Sequence, residues 1–167
     1  MLAAVLALAA TAASATWLDV PFVKQEKNGC GAAALAMVME YWARNGAQVP
    51  PEAADARRIQ RSLYSRQAGG IFASDLARYL EANGFRAFAF HAQWADLREH
   101  LAKGRPLVVS LGRSSLHYVV VAGIDADRGW IYVNDPARRK LSKWDRASFE
   151  RAWWDHWALL AAPRDSR

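Results

Sequence analysis

The single cysteine of this 167-residue chain, Cys30, stands between Gly29 and Gly31 at the start of a segment patterned as a helix. A thiol at a helix N-terminus feels the positive end of the helix dipole, which favours the thiolate, its nucleophilic form. The flanking glycines and the alanines that follow would leave room for a substrate backbone to come close. Such a nucleophile needs an imidazole partner and a group that holds that partner in one tautomer. His117 opens the apolar run His117 to Val121, so it belongs at the rim of a sheet. The next β-rich run ends at Asn134, Asp135 and Pro136. A hairpin between the two runs brings Asp135 back beside His117, where its carboxylate could accept the second ring N–H. Asn134 could serve instead, but strand neighbours face opposite ways, so only one of the two does. Gln25 precedes Cys30 by one short loop, which lets its amide face the oxygen of a tetrahedral intermediate together with the Cys30 backbone N–H.

Elements to position these residues are legible along the chain. Leu35, Val38, Met39 and Trp42 form one apolar stripe and predict a helix from Cys30 to Ala43. Pro50 and Pro51 open a second helix through Gln60, and Ala73 to Ala82 reads as a third. Ser62 to Gly70 is a polar loop whose Gly69-Gly70 pair reads as a flexible turn. Trp17 to Val23 reads as an edge strand or loop, Phe85 to Phe90 as a strand and Trp94 to Lys103 as a helix. Strands follow at Pro106 to Leu111, His117 to Ile124 and Trp130 to Val133, with a hairpin at Arg128-Gly129. Asp145 to Trp154 predicts a short helix and Trp157 to Ala161 a closing strand. Trp144, Trp153, Trp154 and Trp157 could line a peptide groove, but four Trp so close are expected to pack the far side of the sheet. With no alternating βαβ rhythm, the fold class is α+β, with N-terminal helices on a mostly antiparallel sheet.

Composition bounds the rest. Hydrophobic residues make up 53% and charged residues 23%, so the chain is globular. The length suits one domain. One cysteine excludes a disulfide framework and multi-cysteine metal sites, and the four histidines lie far apart, so neither metal nor cofactor is expected. The net charge of +6 comes from scattered basic residues without interleaved aromatics, so nucleic acid is not an expected partner. Residues 1–15 are uncharged and end in Ala13, Ser14, Ala15, the small residues of a signal-peptidase site. They predict a leader, export to the periplasm or beyond, no stable membrane insertion, and a single domain over residues 16–167.

Three segments carry a resemblance. Asp19 to Met37 (DVPFVKQEKNGCGAAALAM) resembles the cysteine motif of the bacteriocin-processing, double-glycine leader cysteine peptidases. Leu116 to Asp125 (LHYVVVAGID) looks like their histidine motif, and Ile131 to Pro136 (IYVNDP) like their aspartate motif. The resemblance runs from Trp17 to Ala161 in the family's order. It implies a papain-like fold with Cys30 as nucleophile, His117 as base, Asp135 as orienting acid and Gln25 in the oxyanion hole, acting on a peptide or protein substrate. The chain departs from the pattern at Gly29 and at Gly31-Ala32, where the family often has an acidic residue and a proline. A non-catalytic peptide-binding module, or an amidase or acyltransferase using the same site, is the alternative that these residues leave open.

Overall fold

The computed structural model describes residues 15–112 and 117–164. Of the expected leader only Ala15 falls within them; the rest lies outside the described residues. Helix α1 (Cys30–Arg44) is the centre of the molecule. Its residues from Gly31 to Met39 are buried on every side, which is the environment that an Ala-rich helix without a polar face requires. It ends at Asn45 and at Gly46, whose φ of 92° lets the chain turn away.

The expected second helix is two elements. A single 3-10 turn covers Pro51–Ala54, and α2 (Ala56–Leu63) starts afresh at Asp55. Asp55 is extended and its carboxylate accepts the Arg58 N–H at 2.6 Å, a helix cap that outcompetes continuation of the preceding turn. Helix α3 (Ala73–Ala82), strand β2 (Phe85–His91) and helix α4 (Trp94–Ala102) follow where the sequence pattern puts them.

The sheet is antiparallel throughout, in the order β2-β7-β3-β4-β5-β6, built from β3 (Leu107–Leu111), β4 (His117–Asp125), β5 (Trp130–Asn134), β6 (Ser142–Asp145) and β7 (Trp153–Pro163). Of Trp17 to Val23, expected as an edge strand or loop, only Trp17 joins a strand, β1 (Ala15–Trp17), which pairs with the far end of β4, and the rest is loop. The polar run Ser142–Asp145 carries no hydrophobic alternation, yet pairs with β5 as β6. Helix α5 (Arg146–Ala152) is shorter than expected because Trp153 already opposes Leu111 in the sheet.

Two cores flank this sheet. Alternate residues of β4 divide between them: Tyr118, Val120 and Ala122 face α1, while Val119 and Val121 face α4 and α5. The first turn of α1 lies so close to the sheet that a Cβ on Gly31 would stand 3.3 Å from Ile71, Leu76 and Tyr118 alike. Gly31→Val is therefore expected to cost roughly 1–3 kcal/mol, read as a lowered midpoint in thermal unfolding.

Candidate active site

The turn before α1 is shaped by close contacts. Gly29 N–H donates to the Glu26 carbonyl at 3.0 Å, and a Cβ at position 29 would meet that carbonyl oxygen at 3.1 Å. The space beside Cys30 is thus taken by the protein itself. Ala32 to Ala34 are core residues, and Gly31 is filled by its three neighbours. This corrects the expectation that the glycines and alanines open space for a substrate backbone. Their small size allows the helix to approach the sheet.

That approach brings Cys30, the first residue of α1, to His117, the first residue of β4. His117 Nε2 lies 2.7 Å from Asp135 Oδ1, which leaves Nδ1 for the thiol. Asp135 follows directly on β5 and is 4% exposed. Its Oδ1 also accepts the Ala137 N–H at 3.0 Å, and Arg138 Nε stands 3.5 Å from Oδ2. The carboxylate is held by its own loop before it meets the imidazole.

Asn134 does different work. It is fully buried, its Nδ2 donates to the Val20 and Pro21 carbonyls at 3.1 and 3.3 Å, and its Oδ1 accepts the Leu141 N–H at 3.0 Å. It ties the irregular segment ahead of Cys30 to the end of the sheet. Of the two neighbours, the structure therefore puts Asp135 on His117 and Asn134 in the scaffold.

Gln25 is pinned through its main chain, whose N–H donates to the Pro136 carbonyl at 3.0 Å, one residue beyond Asp135. Gln25, Cys30 and His117 all line one open cleft of about 760 Å³. The four residues singled out from the sequence are thus brought to one place.

Electrostatics couples the pair. Burial pushes the Cys30 thiol up, but the hydrogen bond and charge of His117 and the backbone N–H groups of Tyr118 and Gly31 outweigh it, so its pKa falls below the ordinary value. Burial pushes His117 down, and hydrogen bonds to Cys30 and Asp135 with their negative charges carry it above the ordinary value. The two shifts agree in direction: each group favours the charged form of the other. Tyr118, packed under the thiolate, is pushed up to about 12, first by burial and then by the Cys30 charge.

The cleft walls hold residues that sequence reasoning placed elsewhere. Gly69, Gly70, Phe72, Trp154 and Trp157 all line the cleft. The Gly69-Gly70 turn is part of the site: a bridge from Ser65 to Gly70 closes the loop into a small hairpin. Of the four C-terminal tryptophans, Trp144 and Trp153 do pack the far core. Trp157 instead packs on Tyr118 on the α1 side, with ring centroids 5.6 Å apart, and Trp154 stands 40% exposed at the cleft. No sequence period marks the difference, because β7 is interrupted by Asp155 and His156, both left-handed at φ 49° and 51°.

The family model described as the Peptidase_C39 like family matches residues 17–157. A double glycine motif protease from an AMS/PCAT transporter, solved with its leader peptide, superposes with a TM-score of 0.67 at 24% identity, over 89% of this chain and 94% of that one. The peptidase domain of Streptococcus ComA gives 0.67 at 21% identity, over 86% and 98%. Prointerpain A of Prevotella intermedia gives 0.51 at 16% identity, over 90% and 72%. No curated protein sequence matches the chain.

Two measurements test this site. The alkylation rate of Cys30 is expected to stay high well below the free-cysteine pKa of about 8.5, and His117→Ala to move its inflection upward, as followed by mass spectrometry against pH. Asn134→Ala, which strands the buried Val20 and Pro21 carbonyls and the Leu141 N–H, is expected to lose roughly 1–3 kcal/mol in denaturant unfolding.

Proposed function

Because the chain belongs to the Peptidase_C39 like family, with the fold of papain-like cysteine peptidases, we propose that it hydrolyses peptide bonds through Cys30, His117, Asp135 and Gln25. The observation that carries this reading is the 2.7 Å contact of His117 with a buried Asp135, beside a cysteine whose thiolate that histidine stabilises.

In this reading the Cys30 thiolate attacks the carbonyl carbon of the scissile peptide bond. The carbonyl oxygen becomes an oxyanion, held by the Cys30 backbone N–H at the helix N-terminus and by the Gln25 amide. Breaking the C–N bond requires a proton on the leaving amine. The His117 imidazolium supplies it from Nδ1, while Asp135 keeps Nε2 protonated and the ring in plane. The thioester left on Cys30 is then attacked by water, whose proton passes to His117 Nδ1, and the thiolate departs from the released carboxylic acid.

The substrate is read as a peptide: the matched protease from the AMS/PCAT transporter was solved with a leader peptide, and the cleft here is open along one side of Cys30. The uncharged residues 1–15 support reading the peptidase as exported, with residues 16–167 as one domain. Ala15 itself belongs to β1, opposite Asp125.

Removing the nucleophile with Cys30→Ala is expected to abolish peptide cleavage. Gln25→Ala is expected to lower kcat by about 10²–10³-fold with KM little changed, since an oxyanion donor acts in the transition state. Both are read with a fluorogenic peptide; full turnover by Cys30→Ala would refute the reading.

A further inference from the structure

Two buried side-chain oxygens of the cleft, Gln25 Oε1 and Ser110 Oγ, have no hydrogen-bond partner among the described residues, and only Ser110 lies outside the proposed catalytic set. Ser110 is 1% exposed, its hydroxyl is buried, and its Oγ has no hydrogen-bond partner among the described residues. It nevertheless lines the same cleft as Cys30 and His117. A buried hydroxyl without a partner costs about 1–3 kcal/mol, and one that lines a cleft is placed to pair with a group bound there.

The sheet is built to leave it so. Ser110 opposes Tyr118 on one side, but on its β7 side the register jumps from Val109↔Ala158 to Leu111↔Trp153. Residues 154–157 therefore bulge away opposite Ser110 alone. The bulge is strained, with Asp155 and His156 in left-handed conformations disfavoured for residues with a side chain, and it is held from several sides. Trp153 stacks on His156 with ring centroids 4.8 Å apart, and its Nε1 donates to the Trp157 carbonyl at 2.8 Å. His91 Nδ1 meets the Asp155 carbonyl at 2.8 Å. Trp157, Tyr118 and Ile71 line the cleft together with the buried Ser110, and Trp154 lines it from an exposed position.

We infer that this part of the cleft is a specificity subsite, in which the Ser110 hydroxyl hydrogen-bonds an uncharged polar side chain of the bound peptide, the hydroxyl or carboxamide of Ser, Thr, Asn or Gln. The inference rests on reading the cleft as the peptide-binding site. Depth selects a side chain over the main chain: Gly69 and Trp154 are exposed, whereas Ser110 is not. Charge is selected against, because the ionisable groups lining the cleft among the described residues are Cys30 and His117, which pair with each other and Asp135, and the Tyr118 phenol, which is held neutral; no Asp, Glu, Lys or Arg is there to pair with it. Plain aliphatic side chains lose because they leave the hydroxyl unpaired.

The test separates binding from cleavage. Immobilised Cys30→Ala protein is challenged with a random peptide pool and the retained peptides are sequenced, alongside the Cys30→Ala, Ser110→Ala double variant. Enrichment of Ser, Thr, Asn or Gln by about tenfold at one position, lost in the double variant, is the expected result. No enriched position, or a preference that survives loss of the hydroxyl, overturns the inference. Thermal unfolding of Ser110→Ala is the second measurement. With no partner to lose, the variant should melt no lower than the parent, and a marked drop would show a structural hydroxyl and overturn the inference. The wild-type protein is assayed for cleavage of the same pool. Selective capture without cleavage would refute the peptidase reading and leave the subsite standing; cleavage without positional preference would refute the subsite alone.

Discussion

Close contact between the first turn of α1 and strand β4 is the constraint on which the site depends. A thiol and an imidazole shift each other's protonation most strongly at hydrogen-bond distance, and here the two groups sit on different elements, one from each half of the chain. A glycine at position 31 eases that approach, since a Cβ there would stand 3.3 Å from Ile71, Leu76 and Tyr118 and push them aside. The alanines that follow continue the same approach into the core. Residue size along one helix turn thus sets the geometry of a charge pair.

The other half of the pair is set by the β4–β5 hairpin and by what its end holds. Asn134 and Asp135 are adjacent, and the pleat sends them in opposite directions. One fixes the segment that leads to Cys30; the other meets His117. Gln25 is joined to the same corner through the Pro136 carbonyl. Scaffold and site therefore share a few residues, and damage to Asn134 would reach Cys30 and Gln25 through the chain ahead of α1.

The β7 bulge is where local rule and fold disagree. Two non-glycine residues in left-handed conformations interrupt a strand, yet the ring stack and main-chain hydrogen bonds around them keep them there. The interruption turns Trp154 and Trp157 from a sheet face into the wall of the cleft and leaves the Ser110 hydroxyl unpaired. Strain at this place carries a consequence for the cleft that neither tryptophan nor serine announces by type.

By itself the sequence determined the elements with strong periods, such as α1, α3, α4 and the β3–β5 strands, because burial repeats along a helix or strand leave a direct trace in residue type. It also pointed to Cys30, His117, Asp135 and Gln25, since thiol, imidazole, carboxylate and amide each carry distinct chemistry at a helix start, a strand start, a strand end or a short loop. It left open Asp135 against Asn134, which only the side-chain directions decide. It misread the proline-led helix, where the Asp55 cap competes, and the polar strand β6, which pairs without an alternating pattern. It also misplaced Trp154 and Trp157 and took the Gly69-Gly70 loop for a bare turn. These features depend on contacts between segments far apart in the chain. What one residue meets across a cleft is a property of the packed whole, and no local pattern of residue types encodes it.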